Sequence, residues 1–336
     1  MLCRLRSFCL LFLPFAILLT TASCSLDSQT SEAGGILYLA WDEKGTIQIY
    51  HHEPNSGARQ LTDFAAGVFD YALSSNGRQA IISEVTENGH VLWTMDMDDR
   101  SLKKQFSCPA AECSNFTWHV DSRRLLFEQR RQDDKDHVGA PVLFWLDTKT
   151  GESQRLIIDE ESPATNGRLS PDGKWVSYHS PQHEGTVLYH LDHDRTQFIL
   201  NEGGRPAAWN PDGKAAVIPR VELVIVHSEE DDDHEAHEHD YQSAVHLLHI
   251  DLLTGEQLNI SGDLPVDDSV PAWSPDGQWI AFGRRPPLTG SARQLWLMKD
   301  DGSEAKALTD DPFVNHGPPS WSADGRFLLF QQTAQE

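Results

Sequence analysis

The stretch PAWSPDGQWIAFG, residues 271–283, sets a large ring, a four-residue turn and an apolar burst within thirteen positions. Residues 319–331, PSWSADGRFLLFQ, repeat that order 48 positions later. In Ser-Pro-Asp-Gly, Pro presets φ for the second turn position, Asp bonds the nearby backbone, and Gly tolerates positive φ. The bursts WIAFG and FLLFQ are too short for helices and suit buried strands. Each unit therefore reads as a β-hairpin.

Alignment on the turn residue extends the series to six copies. They are residues 71–83, 116–128, 167–179, 207–219, 271–283 and 319–331. The turn residues Asn76, Asp121, Asp172, Asp212, Asp276 and Asp324 are spaced 45, 51, 40, 64 and 48 apart. Three positions before each stands a large apolar side chain: Leu73, Trp118, Leu169, Trp209, Trp273 or Trp321. After each burst comes another apolar segment ending in a polar turn, such as LFWLDTKTGES (143–153) or LWLMKDDGSEA (295–305). A short fourth strand follows, for example ALTD (307–310). Four strands in roughly 45 residues, with no amphipathic helix between them, describe a propeller blade. The predicted fold is an all-β, six-bladed β-propeller of four-stranded antiparallel blades over residues 36–336. The N-terminal segment 36–63 and the C-terminal strands would share one blade, closing the ring and removing free edges.

The W-S-P-D-G pattern with its following burst resembles the TolB-like β-propeller repeat. That repeat occurs in the TolB C-terminal domain and in the propellers of prolyl-oligopeptidase-type peptidases. The resemblance implies the fold and is nearly silent on activity. No G-x-S-x-G elbow occurs, and neither a hydrolase half nor TolB's preceding α/β domain is legible. The expectation from sequence is a chain that is not an enzyme.

Ahead of the repeats, Arg4 and Arg6 precede FCLLFLPFAILL (8–19) and then the small residues TTASC (20–24). That order is a secretory signal, and twelve apolar residues are too few to span a bilayer. Cys24 after Thr21-Ala22-Ser23 resembles a bacterial lipobox, which implies a lipoprotein-type signal over 1–23 and acylation of Cys24. Residues 24–35 are polar and small and read as a flexible tether. The expected location is the periplasm or cell surface, on a lipid anchor. The formal charge of −24 repels phosphate backbones, so nucleic acid is excluded as a partner. Cys108 and Cys113 form a candidate disulfide in that oxidising compartment.

The interval of 64 residues between Asp212 and Asp276 is about twenty longer than a blade needs. The excess is an acidic, His-rich insertion at 227–246. Residues 228–240 hold eight acids, three histidines and no basic side chain. His234, His237 and His239, beside Asp233 and Asp240, have the donor types that hold zinc or a similar divalent ion. A solvated charge run is the other reading. His190 and His193 read as solvent-facing. The functional expectation is an envelope-anchored, monomeric, non-enzymatic scaffold binding an envelope protein or a small ligand. Divalent-metal binding or sensing through 227–246 is the alternative, ahead of a propeller lyase or hydrolase.

Overall fold

A computed structural model describes residues 29–30, 35–53, 56–132, 139–156, 163–193, 195–201, 204–226, 240–286 and 290–334. Among these residues the only helical turn is the 3-10 turn Pro181–His183; every other element is a strand. Four antiparallel, four-stranded sheets follow one another along the chain. The first holds Gln29–Thr30, Ile36–Trp41, Ile47–Glu53 and Gly57–Gln60. The second holds Val68–Leu73, Gln79–Thr86, Gly89–Asp96 and Leu102–Pro109. The third holds Ala111–Trp118, Arg124–Arg131, Val142–Asp147 and Ser153–Arg155. Thr165–Leu169, Trp175–Ser180, Gly185–His190 and Arg195–Leu200 form the fourth. Two further meanders share one parallel bridge, Val245 to Asp267. The fifth comprises Ala208–Trp209, Ala215–Val226, Asp240–Asp251 and Gln257–Asn259; the sixth, Asp267–Trp273, Trp279–Arg285, Gln294–Lys299 and Lys306–Ala307.

First strands of neighbouring sheets touch, as Val68–Leu73 touches Ala111–Trp118 and Ala208–Trp209 touches Asp267–Trp273. The apolar core lies between neighbouring sheets. One cluster joins Ile81 and Leu92 of the second sheet to Trp118, Leu125 and Phe127 of the third. The large side chain before the turn is packed at these junctions, and three of the indoles also bond the preceding sheet. Trp118 Nε1 donates to Ala72 O at 3.0 Å, Trp273 Nε1 to Ala208 O at 3.2 Å, and Trp321 Nε1 to Ala272 O at 3.0 Å.

Serine is the hub of the turn, a role the sequence reading gave to Pro and Asp. Ser274 Oγ donates to Asp276 Oδ1 at 2.6 Å and accepts from Trp279 N at 2.9 Å. The same pair of bonds recurs at Ser74, Ser170 and Ser322. Gly213, at φ +72°, shows why the turn needs glycine: a Cβ there would lie 2.6 Å from Asp172 Cγ of the neighbouring turn.

Two features differ from expectation. The long interval is partly an extended hairpin: 215–226 pairs with 240–251 without a break, out to Val226 opposite Asp240. Branched and aromatic residues in VELVIV and YQSAV favour strand over loop. The chain ends also pair otherwise than expected. Val314–His316 pairs with Gln332–Ala334, and Ser320–Trp321 with Leu328–Leu329. Among the described residues no ladder joins these to Ile36–Trp41, whose partners are Gln29–Thr30 and Ile47–Glu53. The S-A-D-G turn folds the C-terminal strands onto each other, and Gln29–Thr30 takes the start of the free edge.

Candidate functional site

The S-x-D-G turns follow the ends of the first strands, and the candidate site lies toward the strand starts. Four of the first strands are irregular, with register shifts beside Asp70, Asn115, Asn166 and Val270. Asn115, Asn166 and Val270 have φ of +54°, +55° and +48°. Neighbouring carboxylates hold the two asparagines: Asn115 N donates to Asp70 Oδ2 at 2.7 Å, and Asn166 N to Glu128 Oε1. Val270 is a β-branched residue in a conformation that costs of order 1–3 kcal/mol.

Beside Val270 opens a cavity of about 260 Å³ between the fifth sheet, the sixth sheet and the C-terminal hairpin. Arg205, Ser269, Arg293, Asn315 and His316 line it. Arg205 leads into Ala208–Trp209, and its carbonyl is pinned by Thr186 Oγ1 and Asn201 Nδ2, each at 3.3 Å. Arg293 lies flat on the sixth sheet because residue 283 is glycine, where a Cβ would meet Arg293 Cδ at 2.6 Å. Its Nη1 donates to Ser269 Oγ, to Asp267 O at 3.2 Å and to Gly283 O at 3.4 Å. Asn315 Oδ1 accepts from Arg293 N at 2.8 Å, and His316 N donates to Arg293 O at 2.8 Å. The C-terminal hairpin is thereby fastened to the cavity wall.

Four arginines gather here and two are neutralised. Arg284 grips Asp268 through two 2.7 Å bonds, with Ser261 Oγ donating to the same carboxylate at 2.6 Å. Arg285 Nε reaches Asp267 Oδ2 at 3.3 Å. Arg205 and Arg293 have no carboxylate within 4.0 Å among the described residues. Burial, then the charges of Arg285 and Arg205, push the Arg293 guanidinium down to about 10 against the pull of Asp267 and Asp268. It remains a cation at neutral pH. His316 is 4% exposed, and its ring packs 5.8 Å from Phe330. Its Nδ1 is sealed from water, and neither ring nitrogen has a hydrogen-bond partner among the described residues.

The sequence singled out none of these residues. Their signal was slight: Arg284, Arg285 and Arg293 crowd together in an acidic chain. Of the expected sites, Cys24, Asp233, His234, His237 and His239 lie outside the described residues, as does the side chain of Asp240. Among the described residues no group of three or more His, Cys, Asp or Glu is placed to hold a metal. Cys108 and Cys113 are joined, with Cα atoms 6.5 Å apart, linking the second sheet to the third. His190 is not solvent-facing: it is buried edge-on against Trp175, ring centres 4.8 Å apart.

No family model matches the chain. A stretch of 59 residues is 44% identical to "Uncharacterized peptidase YuxL" of Bacillus subtilis, covering 18% of this chain and 8% of that protein. Among solved structures, an oligogalacturonate lyase in complex with manganese aligns at TM-score 0.63 and 17% identity, over 90% of this chain and 84% of that one. The acylaminoacyl peptidase of Pyrococcus horikoshii aligns at TM-score 0.61 and 13% identity, over 91% and 48%. TolB from Acinetobacter baumannii aligns at TM-score 0.49 and 15% identity, over 85% and 66%. The chain thus spans about half of that peptidase and a small fraction of YuxL.

At these identities the structures show the fold, a β-propeller of four-stranded antiparallel sheets, and no activity. They do overturn the expectation that the chain is not an enzyme. That expectation rested on a missing elbow and a missing hydrolase half. A lyase whose length is 84% covered by this propeller needs no hydrolase half, and the relative in sequence is named a peptidase.

Proposed function

We propose that the chain is an exported β-propeller that receives a small molecule, as ligand or as substrate, in the cavity walled by Arg205, Ser269, Arg293 and His316. The observation carrying this reading is His316, a buried imidazole on the wall of a cavity with no hydrogen-bond partner among the described residues. Leaving a buried polar atom unpaired costs about 1–3 kcal/mol, which a molecule that shifts the wall enough to bond it would offset. A volume of about 260 Å³ suits something smaller than a drug-sized ligand. Imidazole is also the side chain best suited to proton transfer near neutral pH, so turnover is within the chemistry of the site. Export is supported by the charged, apolar and small-residue order of residues 1–24 and by the Cys108–Cys113 bond. Acylation of Cys24 would hold the propeller at a membrane.

A thermal-shift screen of small metabolites against the full chain and a His316→Ala variant tests the reading. The expected hit raises the melting temperature of the wild type by a few degrees and that of the variant by less. A library without hits, or hits that shift both proteins equally, would count against it.

A further inference from the structure

The walls of the cavity say more about its occupant than its size does. Arg205 and Arg293 both line the cavity, and among the described residues neither has a carboxylate within 4.0 Å, whereas the other two arginines nearby each have one. The surrounding chain carries a formal charge of −24, so this positive spot runs against the field of the molecule. Arg293 is fastened by neutral groups alone, Ser269 Oγ and the carbonyls of Asp267 and Gly283, which orient a guanidinium without cancelling its charge.

The backbone narrows the choice among anions. Phosphate sites are built largely from convergent backbone N–H groups. Here Pro318 and Pro319 have none to give. The N–H of His316 is spent on Arg293 O at 2.8 Å, and that of Gly317 on Gln331 O at 3.0 Å. What remains on this wall are planar side-chain forks and an imidazole. A guanidinium fork matches carboxylate and phosphate oxygens alike, with charge-assisted bonds of about twice ordinary strength, so the shortage of free backbone N–H groups on this wall is what favours the carboxylate.

We infer that the molecule received in this cavity is a small organic carboxylate, held by Arg205 and Arg293, with the unpartnered imidazole of His316 facing the rest of it. The inference rests on the small-molecule reading above and narrows it to one chemical class. Asn315 and Ser269 are positioning residues: Asn315 Oδ1 anchors the main-chain N–H of Arg293, and Ser269 Oγ holds its guanidinium.

Calorimetry on the full chain tests it with malonate, acetate, inorganic phosphate and glucose as probes. Malonate and acetate are expected to bind, and phosphate to bind more weakly than malonate. Arg205→Gln is expected to weaken malonate about tenfold or more, the usual effect of losing a charge-assisted bond. Arg293→Gln should do the same, but Arg293 also braces the sheet, so Arg205→Gln is the decisive variant. Lys104→Gln, at an exposed position on the second sheet, should bind like the wild type. Melting temperatures establish that each variant is folded. The inference is overturned if malonate binds the folded Arg205→Gln variant as it binds the wild type, if phosphate binds more tightly than malonate, or if no carboxylate binds. Glucose binding that is lost in His316→Ala, with carboxylates inert, would overturn the carboxylate and leave the small-molecule reading standing.

Discussion

Ser274 and its counterparts carry more of the fold than their size suggests. One hydroxyl orders the turn acid and closes the return strand, with bonds of 2.6 and 2.9 Å. Ser274 is buried, so Ser274→Ala should cost about 1–2 kcal/mol, read as a lower urea midpoint at an unchanged slope. The same bonds set a pH dependence. The Ser274 hydroxyl and the Gln278 N–H hold the Asp276 carboxyl below its ordinary range. Ser322 and Arg326 bring Asp324 down to about 2, and Arg123 brings Asp147 to about 2. A carboxyl depressed in the folded state stabilises fully above its unfolded pKa, near 4, and loses that contribution as pH falls through the folded value. Urea midpoints should therefore drop between about pH 4 and about pH 2. The drop should be smaller in Ser274→Ala, where Asp276 has lost its first donor. An equal drop in both proteins would show that this hydroxyl does not set the titration.

Between elements, the indole bonds divide the sheet junctions into two kinds. Trp273 Nε1 reaches a carbonyl of the preceding sheet, whereas Trp209 Nε1 is sealed from water and has no partner among the described residues. Trp273→Phe should therefore cost about 1 kcal/mol more than Trp209→Phe, since only the former breaks a bond and strands a carbonyl. Equal losses in denaturant melts would mean that the rings act by bulk alone. The long hairpin raises a separate question at this scale. Its paired base ends with Val226 opposite Asp240. If the acidic, His-rich segment 227–239 captures a divalent ion, replacing His234, His237 and His239 by Ala should abolish zinc binding by the full chain in calorimetry. Unchanged zinc affinity would remove the segment from any metal chemistry.

Across the whole molecule, what was legible in the sequence is what is local. A hairpin needs only its own dozen residues, so the turn with its preceding large residue and following burst announced the second to sixth sheets one by one, while the first, Gln29–Gln60, carries no copy. Their inter-sheet wedging followed from the spacing. The pairing of the chain ends was not legible, because Ile36–Trp41 offers an edge that several segments can take and the S-A-D-G turn competes for its own partner. The cavity was hidden for a related reason. Arg205, Ser269, Arg293 and His316 come from three successive sectors and meet only when the first strands begin side by side. No short motif contains them. Gly283, which lets Arg293 lie flat, looks in sequence like one more residue of an apolar burst.

The imidazole of His316 is the most direct witness. Its ring nitrogens, observed by long-range proton–nitrogen NMR on the full chain, should move on addition of the strongest stabilising small molecule. Those of His90 and His246, whose rings already have hydrogen-bond partners in the fold, should stay in place. Resonances of His316 that remain fixed while the molecule binds would place its site elsewhere and contradict the role assigned to this cavity.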